Sequence, residues 1–235
     1  GNRFPDVALA QGPGIRRYAG PDVNEAVARQ LADGTIFTLS QPLELELAER
    51  LVEILPCAEM VRYGKNGSDA TTGAVRLARA FTGRDRVACC GYHGWQDWYI
   101  GTTTRSKGVP KAVRDLTVPF RYNDITSLED IFEKHANNVA AVIMEPIGVE
   151  EPNGRFLFDV QELARRHGAL LIFDEIITGC RLALGGAQQQ FGIVPDLACF
   201  GKGMANGYPL SAIVGHREIM ELFDEVFFSF TFGGE

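Results

Sequence analysis

Seven short apolar runs, separated by segments of helical pattern, constrain the fold of this chain more than any other feature of its sequence. Short apolar runs bounded by turn residues are typical of buried strands. Strands that alternate with helices favour a mostly parallel sheet with helices on both faces. The sequence therefore predicts an α/β fold around a seven-stranded sheet. The runs lie near 59–63, 86–90, 115–118, 139–144, 169–173, 196–200 and 211–215.

Two segments between the runs carry apolar residues at helical spacing. Residues 44–55 have leucines on one face and are followed by Pro56, which predicts a helix that stops there. A second pattern runs from Ala70 to Phe81 and predicts a helix that stops at Gly83.

Two later segments are predicted from their polar residues. Asp159 and Glu162 have the spacing of a capping box, which predicts the start of a helix that ends at Gly168. Residues 101–114 are polar and predict a loop. Two interpretations of this loop stay open, the mouth of an active site and a plain solvated connection.

The composition is that of a globular enzyme domain. A chain of 235 residues with 46% hydrophobic and 23% charged content can bury one substantial core, so we expect one large domain. A net charge of −7 and a pI near 5.2 argue against a nucleic acid or an anionic membrane as a partner. No stretch approaches the length of a membrane span.

The cysteines indicate the redox environment. Five are present, an odd number, and Cys89 and Cys90 are neighbours in a predicted strand. This pattern favours buried, reduced thiols and a reducing compartment, so we expect a cytoplasmic protein. The four histidines are scattered and no zinc-ligand spacing is present, so we expect no metal site.

An acid and a lysine follow two neighbouring predicted strands. Asp174 ends the apolar run 169–173, and Lys202 stands between two glycines after the run 196–200. Pyridoxal phosphate needs an amine for a Schiff base and a carboxylate facing its pyridine nitrogen, which this pair supplies. Taken singly, the acid is as well explained as a helix cap and the lysine as a solvated side chain.

The segment 64–70 predicts an anion site. Gly67 and Ser68 stand where the helix is expected to begin, so free N–H groups and the helix dipole favour a phosphate there. An ordinary Ser or Asp cap explains the segment equally well. A Walker phosphate loop is excluded at Lys65 and at Lys202, because neither has the required glycine spacing or the following Ser or Thr.

Aromatic residues follow the predicted strand 86–90. Tyr92 or His93, next to glycines, is placed to lie flat on a heteroaromatic ring. The alternative is that the aromatic residues here pack the core, and for Trp95 and Trp98 we favour that interpretation.

The chain contains six motifs in a fixed order: Asn-Gly-Ser-Asp-Ala (66–70), Tyr-His-Gly (92–94), Glu-Pro (145–146), Asp-Glu-Ile-Ile-Thr-Gly (174–179), Gly-Lys-Gly (201–203) and Thr-Phe-Gly-Gly (231–234). Together they resemble the class III pyridoxal-phosphate-dependent aminotransferases, and most closely the branch of glutamate-1-semialdehyde 2,1-aminomutase, an isomerase. The resemblance implies the large domain of a fold-type I pyridoxal-phosphate transferase.

The resemblance also implies residue roles. Lys202 would hold the cofactor and move the proton, and Asp174 would face the pyridine nitrogen. Gly67 and Ser68 would bind the phosphate, and Ile176 would pack on one ring face.

Four more roles follow from the same resemblance. Tyr92 would stack on the other ring face with His93 beside it, and Glu145 would lie near the cofactor. Thr231 would reach the cofactor phosphate of the neighbouring subunit, which implies a homodimer with a shared active site.

The chain departs from the aminomutase pattern at a few positions. Trp95 stands where that branch usually has a second histidine, and Ser68-Asp69 stands where it tends to have Thr-Glu. The substrate therefore stays open among amino acids, amines and amino-aldehydes. Aminomutase, general transaminase and a non-catalytic cofactor-binding descendant also stay open.

The ends of the chain lead to an expectation about domains. Residues 1–40 resemble part of an N-terminal segment, and 41–235 resemble the cofactor-binding large domain. The resemblance implies that relatives continue into a C-terminal small domain, so we expect this chain to be a fragment.

Overall fold

The computed structural model describes residues 5–6, 9–16 and 18–235, and its centre is one sheet. The strands are β1 (Met60–Gly64), β2 (Arg86–Cys90), β3 (Thr117–Pro119), β4 (Val139–Met144), β5 (Leu170–Asp174), β6 (Leu197–Phe200) and β7 (Ser211–Gly215). Their order across the sheet is β1-β7-β6-β5-β4-β2-β3. The predicted seven-stranded sheet is confirmed.

Most neighbouring strands are parallel. β2 pairs in parallel with β3 and β4, β4 with β5, and β5 with β6. β7 is antiparallel to both of its neighbours: Val214 lies opposite Ala198 of β6 and Val61 of β1. The carboxyl ends of β2, β4, β5 and β6 therefore share one edge of the sheet.

Helices cover both faces, as predicted. They are α1 (Pro21–Asp33), α2 (Pro42–Ile54), α3 (Gly67–Thr82), α4 (Asp97–Ile100), α5 (Lys111–Arg114), α6 (Ile125–Lys134), α7 (Phe156–Arg166), α8 (Gly186–Phe191) and α9 (Arg217–Met220). Short 3₁₀ turns follow at Lys202–Ala205 and Glu221–Asp224. No described helix combines the length and apolar character needed to cross a bilayer.

Alternate residues of β4 divide the core into two layers. Val142 and Met144 pack in the layer that includes α6 and α7, whereas Ala141 and Ile143 pack in the layer that includes α3 and α9. Because side chains alternate across a strand, a strand apolar at every position belongs in a sheet buried on both faces. β4 is buried throughout.

Helix α3 ends as its sequence predicts. Gly83 adopts a left-handed conformation with φ +66°, and its N–H bonds the carbonyl of Arg79. Glycine takes this conformation without a steric penalty, so it stops the helix.

Two local predictions are wrong. Helix α7 begins at Phe156, and Asp159 lies within it rather than capping it. Phe156 and Leu157 are buried in the core, so packing extends the helix upstream of the acid. The segment 101–114 is also not all loop, because its last four residues form α5, with Pro110 at the N-cap.

Candidate active site

Five of the predicted site residues come from the carboxyl ends of four strands. Asp174 ends β5, Lys202 follows β6, Glu145 follows β4, and Tyr92 and His93 follow β2. Ligands of α/β proteins bind at this edge of the sheet. These residues line one cavity of about 270 Å³, together with Asn66, Gly67, Ser68, Thr71, Gly94, Trp95 and Ile176. A larger groove of about 970 Å³ lies elsewhere and contains none of the predicted residues.

The N-terminus of α3 forms one wall of the cavity. Asn66 Oδ1 accepts the N–H of Asp69 at 3.2 Å, and Asp69 Oδ2 accepts the N–H of Asn66 at 2.9 Å. This reciprocal cap fixes the first turn, whose leading N–H groups have no partner inside a helix. A β-carbon on Gly67 would lie 3.1 Å from Ile176, so a larger residue there would push Ile176 away from the helix.

Asp174 is held at both of its oxygens. Oδ1 accepts the N–H of Ile176 at 3.1 Å, and Oδ2 lies 2.8 Å from Nδ1 of His93. The side chain is almost fully buried. The contact with His93 is one that the sequence did not indicate.

The side chain of the neighbouring acid, Glu175, lies in a different environment. Its carboxylate accepts hydrogen bonds from the hydroxyl of Thr178 at 2.7 Å and from the N–H of Ala187 at 2.6 Å. Burial raises the pKa of Glu175, and these donors oppose that shift. Glu175 thus fastens the loop after β5 to the start of α8, and Asp174 is the acid that faces the cavity.

Glu145 and Tyr92 are linked through the backbone. The N–H of Tyr92 donates to Glu145 Oε2 at 2.9 Å. Gly91, with φ +108°, allows this approach, since a β-carbon there would lie 2.5 Å from the same oxygen. Burial raises the pKa of Glu145, and the Tyr92 N–H acts in the opposite direction.

Lys202 begins a 3₁₀ turn with an uncommon backbone conformation. Its φ is +40°, in the left-handed region that disfavours side chains other than glycine. Such outliers cost on the order of 1–3 kcal/mol and concentrate at functional sites. A turn near the N-terminus lies beside it: a β-carbon on Gly12 would be 3.3 Å from Lys202 Cδ and 3.9 Å from Nη2 of Arg181. The sequence did not predict this neighbour.

The two tryptophans differ. Trp98 is buried and donates from Nε1 to the hydroxyl of Thr72 at 3.0 Å, which confirms its core position. Trp95 is 67% exposed and lines the cavity, so the prediction that it packs the core is wrong. Gly94, with φ +103°, turns the chain outward, and the N–H of Trp95 donates to Ser68 Oγ at 3.3 Å.

Thr231 is the one predicted site residue that does not line the cavity. It lies exposed in a turn after β7. Its role in a partner's site stays a prediction, and so do the cofactor contacts of the other residues.

Thr71 and Gly94 line the cavity without having been predicted. Thr71 lies three residues after Ser68, almost one helical turn. The helical pattern of α3 therefore indicated that the two residues share a face.

The cavity residues fit pyridoxal phosphate. A buried carboxylate, Asp174, and an amine, Lys202, share one cavity with a capped helix N-terminus. The first N–H groups of that helix are where a phosphate would be bound.

A family model described as aminotransferase class-III matches residues 1–235. The chain belongs to the class III aminotransferases. This membership confirms the resemblance drawn from the six motifs and identifies pyridoxal phosphate as the family's cofactor.

Relatives of this class III aminotransferase chain have two kinds of activity in their names. This chain is 43% identical over 240 residues to the 3-aminobutyryl-CoA aminotransferase of Cloacimonas acidaminovorans. The match covers 99% of this chain and 57% of the relative. The chain is 41% identical over 237 residues to the glutamate-1-semialdehyde 2,1-aminomutase of Syntrophobacter fumaroxidans, covering 94% and 54%. The chain thus spans little more than half the length of these relatives.

A solved structure agrees with the fold. The FumI protein of Sphingopyxis sp. MTA144, described in its PLP-bound form, matches with a TM-score of 0.91 and 33% identity. The match covers 97% of this chain and 56% of that protein. The fold of a pyridoxal-phosphate transferase large domain is therefore confirmed.

Proposed function

We propose that this class III aminotransferase moves an amino group with pyridoxal phosphate bound at Lys202. The observation that carries the proposal is the meeting of Lys202, Asp174 and the N-terminus of α3 in one cavity. The names of the two relatives support the same chemistry, since one is an aminotransferase and the other an aminomutase.

Each cavity residue has a task in this proposal. When bound, the cofactor supplies an electron sink for the substrate carbon that loses a proton. Asp174, an acid held in a buried pocket, keeps a proton on the pyridine nitrogen. Ser68 and the first N–H groups of α3 hold the phosphate. Tyr92 and Ile176, which line the same cavity, would flank the ring.

Lys202 has two tasks. Its amine would hold the cofactor covalently until the substrate amine takes its place, and the freed amine would then take a proton from the substrate carbon and return it to a neighbouring atom. General acid–base catalysis of this kind contributes roughly 10²–10⁴ in rate. The left-handed backbone conformation of Lys202 fixes the direction in which its side chain leaves the main chain.

The substrate, assembly and location belong to the same proposal. We infer a substrate that is an amino acid, an amine or an amino-aldehyde, and a homodimer in which Thr231 completes the partner's phosphate site. Five free cysteines, four of them buried, support a reducing compartment such as the cytoplasm.

Borohydride trapping tests the site. Full-length protein with added cofactor is reduced, digested and mapped, and we expect the adduct on Lys202. Lys202→Ala should carry no adduct, whereas Lys111→Ala should keep it, because Lys111 is exposed and paired with Asp115. An adduct on Lys65, Lys107 or Lys111 would refute the assignment.

An acceptor titration separates the two reactions. An aminomutase converts glutamate 1-semialdehyde without any added keto acid, because the amine returns to the same carbon skeleton. A general transaminase forms product only when an acceptor such as pyruvate or 2-oxoglutarate is present. Product yield is measured against acceptor concentration, starting from zero.

A further inference from the structure

Tyr99 is a buried residue of α4 that lies beside Tyr92 but does not line the cavity. Its hydroxyl donates to the backbone carbonyl of Gly91 at 2.8 Å. Burial raises the pKa of Tyr99 to about 12, so the hydroxyl keeps its proton at neutral pH and can donate. Tyr99 stands outside the six motifs, so the family resemblance assigns it no role.

The peptide unit between Gly91 and Tyr92 is held at both of its polar groups. Tyr99 bonds its carbonyl oxygen, and Glu145 Oε2 accepts its N–H at 2.9 Å. Rotation of this peptide unit would break both bonds. Gly91 has φ +108°, and glycine by itself adopts many backbone conformations with little preference. The two side chains therefore restrict the backbone from which the Tyr92 ring leaves the main chain.

The ring of Tyr99 also supports the ring of Tyr92. The two rings meet edge-to-face, with centroids 5.5 Å apart and an interplanar angle of 84°. This arrangement is one that aromatic pairs prefer. Tyr92 is 57% exposed, and among the described residues Tyr99 is the one aromatic side chain packed against its ring. The orientation of the Tyr92 ring therefore depends on Tyr99.

Tyr99 is itself fixed in the core. Its ring lies 5.9 Å from that of Trp98 and meets the ring of His93 edge-on at 5.2 Å. Its N–H donates to the carbonyl of Gln96 at 3.0 Å. A side chain held on several sides in a close-packed core moves little, so it can orient a more exposed neighbour.

We propose that Tyr99 is a positioning residue that acts through Tyr92, setting the plane in which the Tyr92 ring meets the cofactor. This inference rests on the proposed function, in which Tyr92 flanks the cofactor ring. The hydroxyl of Tyr99 fixes the main chain before Tyr92, and its ring fixes the Tyr92 side chain.

Two variants of the full-length holoenzyme separate these contributions. Tyr99→Phe removes the hydroxyl and keeps the ring, whereas Tyr99→Leu removes both. Tyr63→Phe is the matched control, because Tyr63 also donates to a backbone carbonyl, that of Glu44, at 2.8 Å and does not line the cavity. Melting temperature reports folding for all three variants.

Two readouts besides activity are used. The first is the circular dichroism of the bound cofactor, which depends on how its ring is oriented in the protein. The second is the cofactor dissociation constant. For Tyr99→Phe we expect an altered dichroism band and about threefold to tenfold weaker binding, with larger effects for Tyr99→Leu. Tyr63→Phe loses a comparable hydrogen bond and should leave both readouts unchanged.

A double-mutant cycle tests whether Tyr99 acts through Tyr92. In a Tyr92→Leu background, Tyr99→Phe should change neither readout further, because the ring that Tyr99 orients is gone. An effect as large as in the wild-type background would overturn the proposal. Unchanged readouts in Tyr99→Phe, or an equal change in Tyr63→Phe, would also overturn it.

Amide hydrogen exchange of the wild-type protein gives a check that needs no variant. In a fixed peptide unit, the N–H of Tyr92 should exchange more slowly than the amides of exposed loops. Exchange at the rate of those loops would overturn the proposal. Failure of the wild type to take up cofactor at Lys202 would instead refute the proposed function, and this inference with it.

Discussion

Asp174 shows how the environment of one side chain sets its task. The acid is buried, and its two oxygens contact different partners, the N–H of Ile176 and Nδ1 of His93. Glu175, one residue later, has a similar arrangement of donors but faces away from the cavity. The chain leaves β5 between these two acids and directs them into different environments.

Replacing Asp174 tests its electrostatic task. Asp174→Asn keeps the shape and an acceptor for Ile176, but a neutral amide cannot hold a proton on the pyridine nitrogen. We expect turnover to fall roughly 10²–10³-fold, the range found when one preorganised electrostatic group is removed. The melting temperature should change by a few degrees at most. Near-normal turnover would remove Asp174 from the site.

Glu145 predicts a dependence of stability on pH. Burial raises the pKa of its carboxyl in the folded protein, so the folded state favours the neutral acid. Any stability that the neutral acid contributes is present below the unfolded pKa, about 4.3, and is lost as pH rises through the folded value.

The matched variant is Glu145→Gln, which keeps an acceptor for the N–H of Tyr92. We expect the free energy of unfolding of the variant, relative to wild type, to increase as pH rises from about 4 toward 7. Urea unfolding at several pH values measures it. A difference that stays constant with pH would contradict the prediction.

The residue contacts of the site were only partly predictable. The motifs predicted that Lys202 and Asp174 follow strands and that Ser68 begins a helix, because strand ends and helix starts have local sequence signals. The bond between His93 and Asp174 joins two residues 81 positions apart. Such a bond depends on which strands are neighbours, and no local pattern specifies that.

In helix α3, core packing and helix propensity favour different residues at position 73. Gly73 lies in its interior, where alanine would ordinarily stabilise a helix by about 1 kcal/mol. A β-carbon there would lie 2.6 Å from Ile213 and 2.7 Å from Phe228, closer than real contacts allow. The glycine therefore lets the helix approach β7.

We expect Gly73→Ala to destabilise the protein by about 1–2 kcal/mol, because overpacking costs roughly 1–3 kcal/mol and outweighs the gain in propensity. Ala80→Gly, at an exposed position of the same helix, measures propensity alone. Both are compared by urea unfolding. If Gly73→Ala gained as much stability as Ala80→Gly loses, the close approach would be wrong.

The start of α7 shows why an element boundary was missed. All seven strands were predicted, because an apolar run buried on both faces is a strong signal. The start of α7 was not, since it depends on core burial of Phe156 and Leu157, which overrides the nearby acids. Element boundaries respond to tertiary packing, and local propensity is too weak to set them.

At the scale of the whole molecule, the proposed shared site predicts complementation between subunits. Lys202→Ala and Thr231→Ala proteins are each expected to be nearly inactive when pure. In a mixed dimer, the subunit that keeps Lys202 receives an intact Thr231 from its partner, so one complete site forms.

Unfolding and refolding the two variants together should recover about a quarter of wild-type activity, because half of randomly formed dimers are mixed and each has one complete site. Mixing Lys202→Ala with Lys202→Ala is the control. No recovery in the mixture, with dimers present by size-exclusion chromatography, would place Thr231 outside the partner's site.

The pairing of the first strand, β1, with the last strand, β7, has a consequence for synthesis on the ribosome. β1 is an early strand, but its neighbour in the sheet is β7, with Gly64 opposite Ser211. The ribosome adds the intervening chain at roughly 5–20 residues per second, so the nascent β1 waits about 7–30 seconds for its partner. Throughout that wait its backbone edge is open, and such edges pair readily with other chains. The nascent protein is therefore most vulnerable to aggregation before the segment after Lys202 has left the exit tunnel.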